Sequence, residues 1–371
     1  MDSDKILSLD CATILPRKSL KVKVKILKTL YVFLLTNSER SLYIKSMRTA
    51  EHSNKTTTCP YCGNASKRFG KHRNGLQRFR CIACLKTFTE AHARQFRVED
   101  YLKEQRGIMA IQLLVEGCSI RTVERITGIR AATLVDLLLI AGERCERLMD
   151  SIRNVPVKDV QCDEIWAYVA KKERNKTAEE YSDENIGDCW TWTAIERHSK
   201  LVLAYSVGRR DIDHAFELMF KLRRATSDSR FQLTTDGLRA YVHAVHAMLA
   251  DRVDFAQLIK YYSQPREGEQ RYSPAQMVEA VPVAVIGDPD PKNICTSHVE
   301  RQNLTMRMQI RRLTRLTNGF SKKIECHRAA IALHFAYYNW CRIHGTLRVT
   351  PAMESEITDH VWSLNELLNH A

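Results

Sequence analysis

Hydrophobic positions change their period twice along this chain. From residue 106 to 142 they recur at helical spacing: Ile108, Ile111, Leu114 and Val115 lead to Gly117. Ser119 can cap a second helix carrying Val123 and Ile126, Gly128 supplies a turn, and Ala131–Ile140 gives a third helix. After Asn154-Val-Pro156 the spacing turns strand-like. Val157–Ala170 contains DVQCDEIWAYV, in which Asp163 shares a strand face with Ile165, Ala167 and Val169. The polar stretch Lys171–Asp188 reads as a long hairpin connection. Cys189–Glu196 and Lys200–Val207 are two further strands, turned at Arg197-His198-Ser199. Asp213–Arg224 is an amphipathic helix, Phe231–Thr235 a strand ending at Asp236-Gly237, and Leu238–Leu249 another helix.

The helical period returns in Ser297–Lys323. Val299, Met306, Ile310 and Leu313 form one stripe there, Arg301, Arg312 and Arg315 the opposite face, and Glu300, Arg307 and Arg311 the border. Ser297 and Glu300 also fit a capping box, and Asn318-Gly319 a left-handed cap that ends the helix. The preceding Ser263–Thr296 is rich in Pro, Gly and charge and is expected to be a mobile loop. Ala329–Trp340 is helical, with Tyr337, Tyr338 and Trp340 expected to pack in the core.

Composition narrows the class. The 371 residues suffice for two or three domains, and 44% hydrophobic with 27% charged residues describe an ordered, soluble type of chain. A net charge of +14 points to a polyanionic partner. The apolar run Ile26–Leu35 is shorter than the roughly 20 residues a bilayer span requires, so no membrane association is expected. Residues 1–46 read as an N-terminal extension, with Met47 as the expected native start. Of 12 cysteines, four form the pairs Cys59/Cys62 and Cys81/Cys84, the spacing of two zinc knuckles in a reducing compartment. The spacer between them carries Lys67, Arg68, Lys71, Arg73, Arg78 and Arg80, interleaved with Phe69 and Phe79. DNA contact and a folding staple with a solvated charge run both fit it.

Helix, Gly-containing turn and helix between residues 105 and 150 form the helix-turn-helix pattern, with Arg121, Arg125 and Arg130 placed to reach phosphates. A three-helix core without DNA contact has the same pattern. Three acids stand out beyond it: Asp163 in a strand, Asp236 at a strand end and Glu300 on a later helix. Phosphodiester chemistry with two hard cations needs oxygen ligands converging from separate elements in this way. Glu164, next to Asp163, points to the opposite side of its strand and is excluded from the ligand set.

The sequence resembles transposases of the DDE superfamily, more closely the family typified by insertion sequence one. The resemblance rests on the two cysteine pairs, CDEIWAYV at Cys162–Val169, WTWTAIERHSKLVLAYSVGRR at Trp190–Arg210, TTDGLRAY at Thr234–Tyr241, HVERQNLTMRMQIRRLTRLTNGFSKK from His298, and YYNWCRIHGTLRVTPA at Tyr337–Ala352. It covers about residues 55–355. It implies an α/β fold, an RNase H-like catalytic core preceded by a zinc ribbon and a helix-turn-helix. The implied boundaries are 55–92 for the ribbon, 105–150 for the helix-turn-helix, 155–345 for the core and 346–371 for a helical tail. It further implies Mg2+ or Mn2+ on Asp163, Asp236 and Glu300, Zn2+ on the four cysteines, and DNA contacts from Arg307, Asn303 and Arg311. His298 stands where the family pattern leads one to expect an aromatic residue. The expected activity is binding of terminal inverted repeats, DNA cleavage and strand transfer, by a cytoplasmic, nucleoid-associated homo-oligomer. A non-catalytic DNA-binding repressor is the competing reading.

Overall fold

A four-stranded antiparallel sheet carries the cysteine pairs: β1 (Thr57–Thr58), β2 (Ala65–Lys71), β3 (Gln77–Cys81) and β4 (Thr87–Thr89), in that order. The computed structural model describes residues 57–73, 75–90, 98–263, 277–314 and 317–370. The extension 1–46, the start at Met47 and Arg315 lie outside the described residues. The chain divides into two compact units, one up to Gln95 and one from Phe96. In the first, Cys59 follows β1 and Cys81 closes β3, each opening a tight turn whose N–H points back at sulfur: Tyr61 to Cys59 at 3.4 Å and Cys84 to Cys81 at 3.3 Å. Among its described apolar side chains only Cys59, Phe79 and Cys81 are buried, with Phe79 stacked on Phe88 at 5.7 Å. So small a core cannot offset the entropy of ordering the chain, which makes a metal the natural source of the missing stability.

The second unit begins with α1 (Gln105–Val115), α2 (Ile120–Thr127) and α3 (Ala131–Asp150). The expected punctuation is present: Ser119 Oγ accepts from the Thr122 N–H at 3.1 Å, and Gly128 ends α2 at φ 69°. Ile126 departs from its expected core role and is 56% exposed, because the turn at Gly128 delivers Ile129 to the core in its place. The long α3 runs along a later helix, α7 (Ile324–Trp340). Gly142 permits that approach, since a Cβ there would stand 2.4 Å from Ala329 Cβ.

The six-stranded sheet has the order β10-β9-β8-β5-β6-β7. Its members are β5 (Asp159–Val169), β6 (Gly187–Glu196), β7 (Val202–Gly208), β8 (Phe231–Asp236), β9 (Val253–Tyr262) and β10 (Met277–Ile286). β5, β6 and β7 form an antiparallel meander, whereas β8 joins β5 in parallel and β9 joins β8 in parallel. These parallel joints need crossovers. Helix α4 (Ile212–Ala225) lies between β7 and β8, and α5 (Arg239–Met248) between β8 and β9.

Strand alternation assigns the layers. Glu164 faces Tyr241 of α5, while its neighbour Asp163 faces Asn303 of α6 (Ser297–Gln309). Tyr205, on the Asp163 face, packs on Phe335 of α7 at 5.1 Å. The sheet is therefore sandwiched between α4/α5 and α6/α7, and β5, covered on both sides, is buried almost throughout. Short helices α8 (Pro351–Glu354) and α9 (Leu364–His370) close the chain.

Several expectations differ from the structure. Ser263–Thr296 is not one loop, because Met277–Ile286 pairs with β9 as an edge strand. Its mostly exposed side chains and Pro282 hide a strand from a pattern search. The helix from Ser297 stops at Gln309 rather than near Lys323. Ile310 is extended, and a short 3-10 turn at Arg311–Leu313 follows, which returns Leu313 to the core. Gly319 does not adopt the left-handed conformation, and the first turn is not a Ser297–Glu300 box, since Thr296 occupies the N-cap. Arg312 is turned inward, donating to Ser321 Oγ at 3.3 Å.

Candidate active site and basic cleft

Asp163 sits mid-strand in β5 and Asp236 ends β8, so the parallel register that pairs Cys162 with Thr235 brings the two acids side by side. Asp236 also acts as a turn former: its Oδ1 accepts from the Leu238 N–H at 3.0 Å and starts the path into α5. Asn303 fixes Asp163, donating from Nδ2 to Oδ2 at 2.8 Å. One residue that sequence reasoning passed over, Gln161, holds α6 in place. Wholly buried two positions before Asp163, it accepts from the N–H groups of His298 (3.0 Å) and Val299 (3.3 Å) at the helix start. A glutamine on the buried face of an apolar strand was the available signal.

Glu164 points to the other face, as alternation requires, yet its carboxylate is not remote. Ligand oxygens of Asp163, Glu164 and Asp236 all lie within 4.8 Å of one another. The β5–β8 ladder ends at Cys162–Thr235, so beyond it β5 is unpaired on its β8 side and side chains of both faces approach Asp236. Glu300 lies outside this cluster. Its side chain is 47% exposed, and its Oε1 accepts from Lys260 Nζ and from Thr296 Oγ1 at 2.6 Å.

Charge crowding dominates the electrostatics. Burial, then the charge of Asp236, pushes Asp163 up to about 6. Glu164 is pushed up to about 7, again by burial and then by Asp236, with Arg210 opposing. Asp236 is raised by burial, while Arg210 and Lys260 pull it down. Four carboxylates thus face two basic side chains, Arg210 and Lys260, leaving uncompensated negative charge. An oxygen donor set of this kind suits hard divalent cations, and the buried Asn303 Oδ1 beside it has no partner. The four cysteines meet the test for a tetrahedral thiolate site. Their sulfurs lie within 4.8 Å of one another, the pairs Cys59–Cys84 and Cys62–Cys81 at 3.6 and 3.4 Å. Tetrahedral zinc with ordinary Zn–S bonds would place sulfurs about 3.8 Å apart.

The basic residues fall into groups. Arg121 and Arg311 line one cleft of about 760 Å³, together with Arg312, Lys322 and Lys323. Arg125 and Arg130 are exposed outside its lining. Arg307 is half-buried, donating to the Leu313 carbonyl at 3.5 Å, and Asn303 is buried against Asp163. Among the described residues no helix is long and apolar enough to cross a membrane.

The chain is similar in structure to a piggyBac transposase in a synaptic complex with hairpin DNA, at 12% identity and a TM-score of 0.35, over 76% of this chain and 72% of that one. It is similar to the Mos1 strand transfer complex at 11% identity and a TM-score of 0.19, over 45% of this chain and 60% of that one. No curated protein sequence matches it. A family model does: that of the IS1 transposases matches residues 291–340, the stretch that carries Glu300, Asn303, Arg307 and Arg311.

Proposed function

We propose that the protein is a DDE transposase that binds the ends of its element, cleaves there and transfers the 3′ end to target DNA. The observation that carries this reading is the meeting of Asp163 and Asp236 beneath the helix that bears Glu300, within the stretch matched by the IS1 family. On this reading residues 155–345 form an RNase H-like core, a description that the meander, crossover and parallel-strand order supports. Residues 105–150 act as a helix-turn-helix, 55–92 as a zinc ribbon and 346–371 as a helical tail. DNA pairing of two element ends calls for at least a dimer.

Asp163, Asp236 and Glu300 would hold Mg2+ or Mn2+, and Cys59, Cys62, Cys81 and Cys84 would hold Zn2+. Divalent cations bound there would supply Lewis acidity to the attacking and the leaving oxygen of an in-line displacement. The protein's own part is placement. Asn303 orients Asp163, Gln161 fixes α6 on β5, and Lys260 holds the Glu300 carboxylate at the rim. Arg121, Arg311, Arg125 and Arg130 offer phosphate contacts that align the duplex without reading its bases.

The test uses the purified full chain, a supercoiled target plasmid and a labelled duplex taken from the DNA flanking the gene. Labelled strands are expected to join the plasmid in Mg2+ and not in EDTA. Tight end binding with no cleavage or joining in either condition would instead favour the repressor.

A further inference from the structure

Four residues outside the catalytic triad, from three segments of the chain, converge on one side of the acid cluster. Glu164 comes from CDEIWAYV, Trp190 and Arg210 from the two ends of WTWTAIERHSKLVLAYSVGRR, and Tyr241 from TTDGLRAY. Arg210 Nε donates to Glu164 Oε1 at 2.6 Å, and its Nη2 reaches Asp236 Oδ2 at 3.4 Å. Its guanidinium lies over the Trp190 ring, 5.0 Å from the centroid. The fully buried Tyr241 donates to the other Glu164 oxygen at 3.0 Å. The backbone beside Arg210 is tied as well, since the Arg209 carbonyl accepts from Trp192 Nε1 at 3.1 Å.

These contacts separate Glu164 from the acids around it. Its side chain is 1% exposed, against 27% for Asp236 and 47% for Glu300, and both of its oxygens are engaged. A carboxylate sealed in this way is poorly placed to share a cation with a nucleic acid arriving from solvent. It is well placed to anchor an arginine. Arg210 keeps 39% of its side chain exposed, and a guanidinium has five N–H donors, more than Glu164 and Asp236 take up. The planar fork, fixed at Nε by Glu164 and stacked on Trp190, leaves its outer edge to a phosphate oxygen.

We propose that Arg210 is a phosphate-binding residue of the active site, and that Glu164 is its positioning residue and not a cation ligand. The inference rests on the transposase reading and adds a substrate contact to it. Asp163 and Asp236 would hold the cations, and Asp236, engaged there, would give up its long 3.4 Å contact with Arg210 while the negative field that repels DNA would be neutralised. Arg210 then turns its free edge to the backbone phosphate beside the reacting bond. Its contribution to DNA binding therefore depends on the cation, unlike that of a surface arginine.

The test needs no turnover. Binding of the labelled flanking duplex is measured with Ca2+ or with EDTA across a salt series, and Mn2+ binding is measured by calorimetry without DNA. Arg210→Ala is expected to weaken duplex binding about tenfold in Ca2+, to lower the salt slope by about one phosphate, and to change little in EDTA. Arg210→Lys keeps charge without the fork and is expected to recover only part of the loss. Glu164→Gln is expected to reproduce the Ca2+-specific DNA defect while binding Mn2+ within about threefold of wild type; Asp236→Asn is expected to lose Mn2+ binding by tenfold or more. Equal DNA losses in Ca2+ and EDTA, or none in either, would overturn the role of Arg210. Loss of Mn2+ binding in Glu164→Gln comparable to that in Asp236→Asn would make Glu164 a ligand and overturn its role as anchor. Arg210→Ala, at an exposed position, keeps the proposal testable if Glu164→Gln does not fold. Failure of strand transfer in the wild type would count against the transposase reading and leave these binding measurements standing.

Discussion

Asp236→Asn is expected to abolish strand transfer, by about a thousandfold or more, while raising the melting temperature of the metal-free protein by a few degrees. The two effects share one cause. Asp236 is part of a carboxylate cluster that pushes Asp163 up to about 6 and Glu164 up to about 7. Removing one charge relieves repulsion that, without a cation, works against folding. Asparagine keeps the Oδ1 that accepts from Leu238, so the turn into α5 survives. Scanning calorimetry in EDTA reads the stability, and the joining assay reads the activity. End binding measured in EDTA, where it falls to other elements, should stay within about twofold. A lowered melting temperature together with retained joining would mark Asp236 as a purely structural turn residue.

Removal of the proposed zinc site is the other large effect. Cys81→Ser, or a strong chelator, is expected to unfold the segment around residues 57–90. Structural zinc binding is worth roughly 10–16 kcal/mol in small thiolate modules, and among the described residues of this sheet the only buried apolar side chains are Cys59, Phe79 and Cys81. End binding should fall at least about tenfold as Lys67, Arg68, Lys71, Arg78 and Arg80 lose their common scaffold. Zinc release, followed with a metal-sensitive dye, should track that loss. The cooperative melting of the larger unit should persist. Full DNA affinity in the zinc-free variant would reduce the ribbon to a folding staple with no share in binding.

Legibility in the sequence followed burial. β5, β6 and β7 are readable because they are buried almost end to end and form runs rich in apolar residues. Asp163 stood out for the same reason, as a charge inside such a run. β10 escaped because an edge strand with exposed side chains and a proline has no core pattern to display. The sequence pattern extends the Ser297 helix too far because Ile310 and Leu313 remain buried after the helix breaks, so the hydrophobic stripe outlasts the hydrogen-bonding pattern that it normally reports. Side-chain contacts were the least legible. Strand alternation gave the face of Glu164 correctly and still missed its nearness to Asp163, because nearness depends on where the β8 ladder ends. Gln161, Lys260 and Arg210, which organise the acids, come from three different strands or their ends, and no spacing in the sequence ties them together.

A change of ligand atom at Asp236 shows whether its carboxylate oxygen holds a cation during DNA joining. Asp236→Cys replaces a hard oxygen with a softer sulfur, which disfavours Mg2+ far more than Mn2+. This variant is expected not to join in Mg2+ and to join measurably in Mn2+, so that the Mn2+-to-Mg2+ rate ratio rises at least about tenfold above that of the wild type. An unchanged ratio, with joining by the variant in Mg2+, would contradict the ligand role.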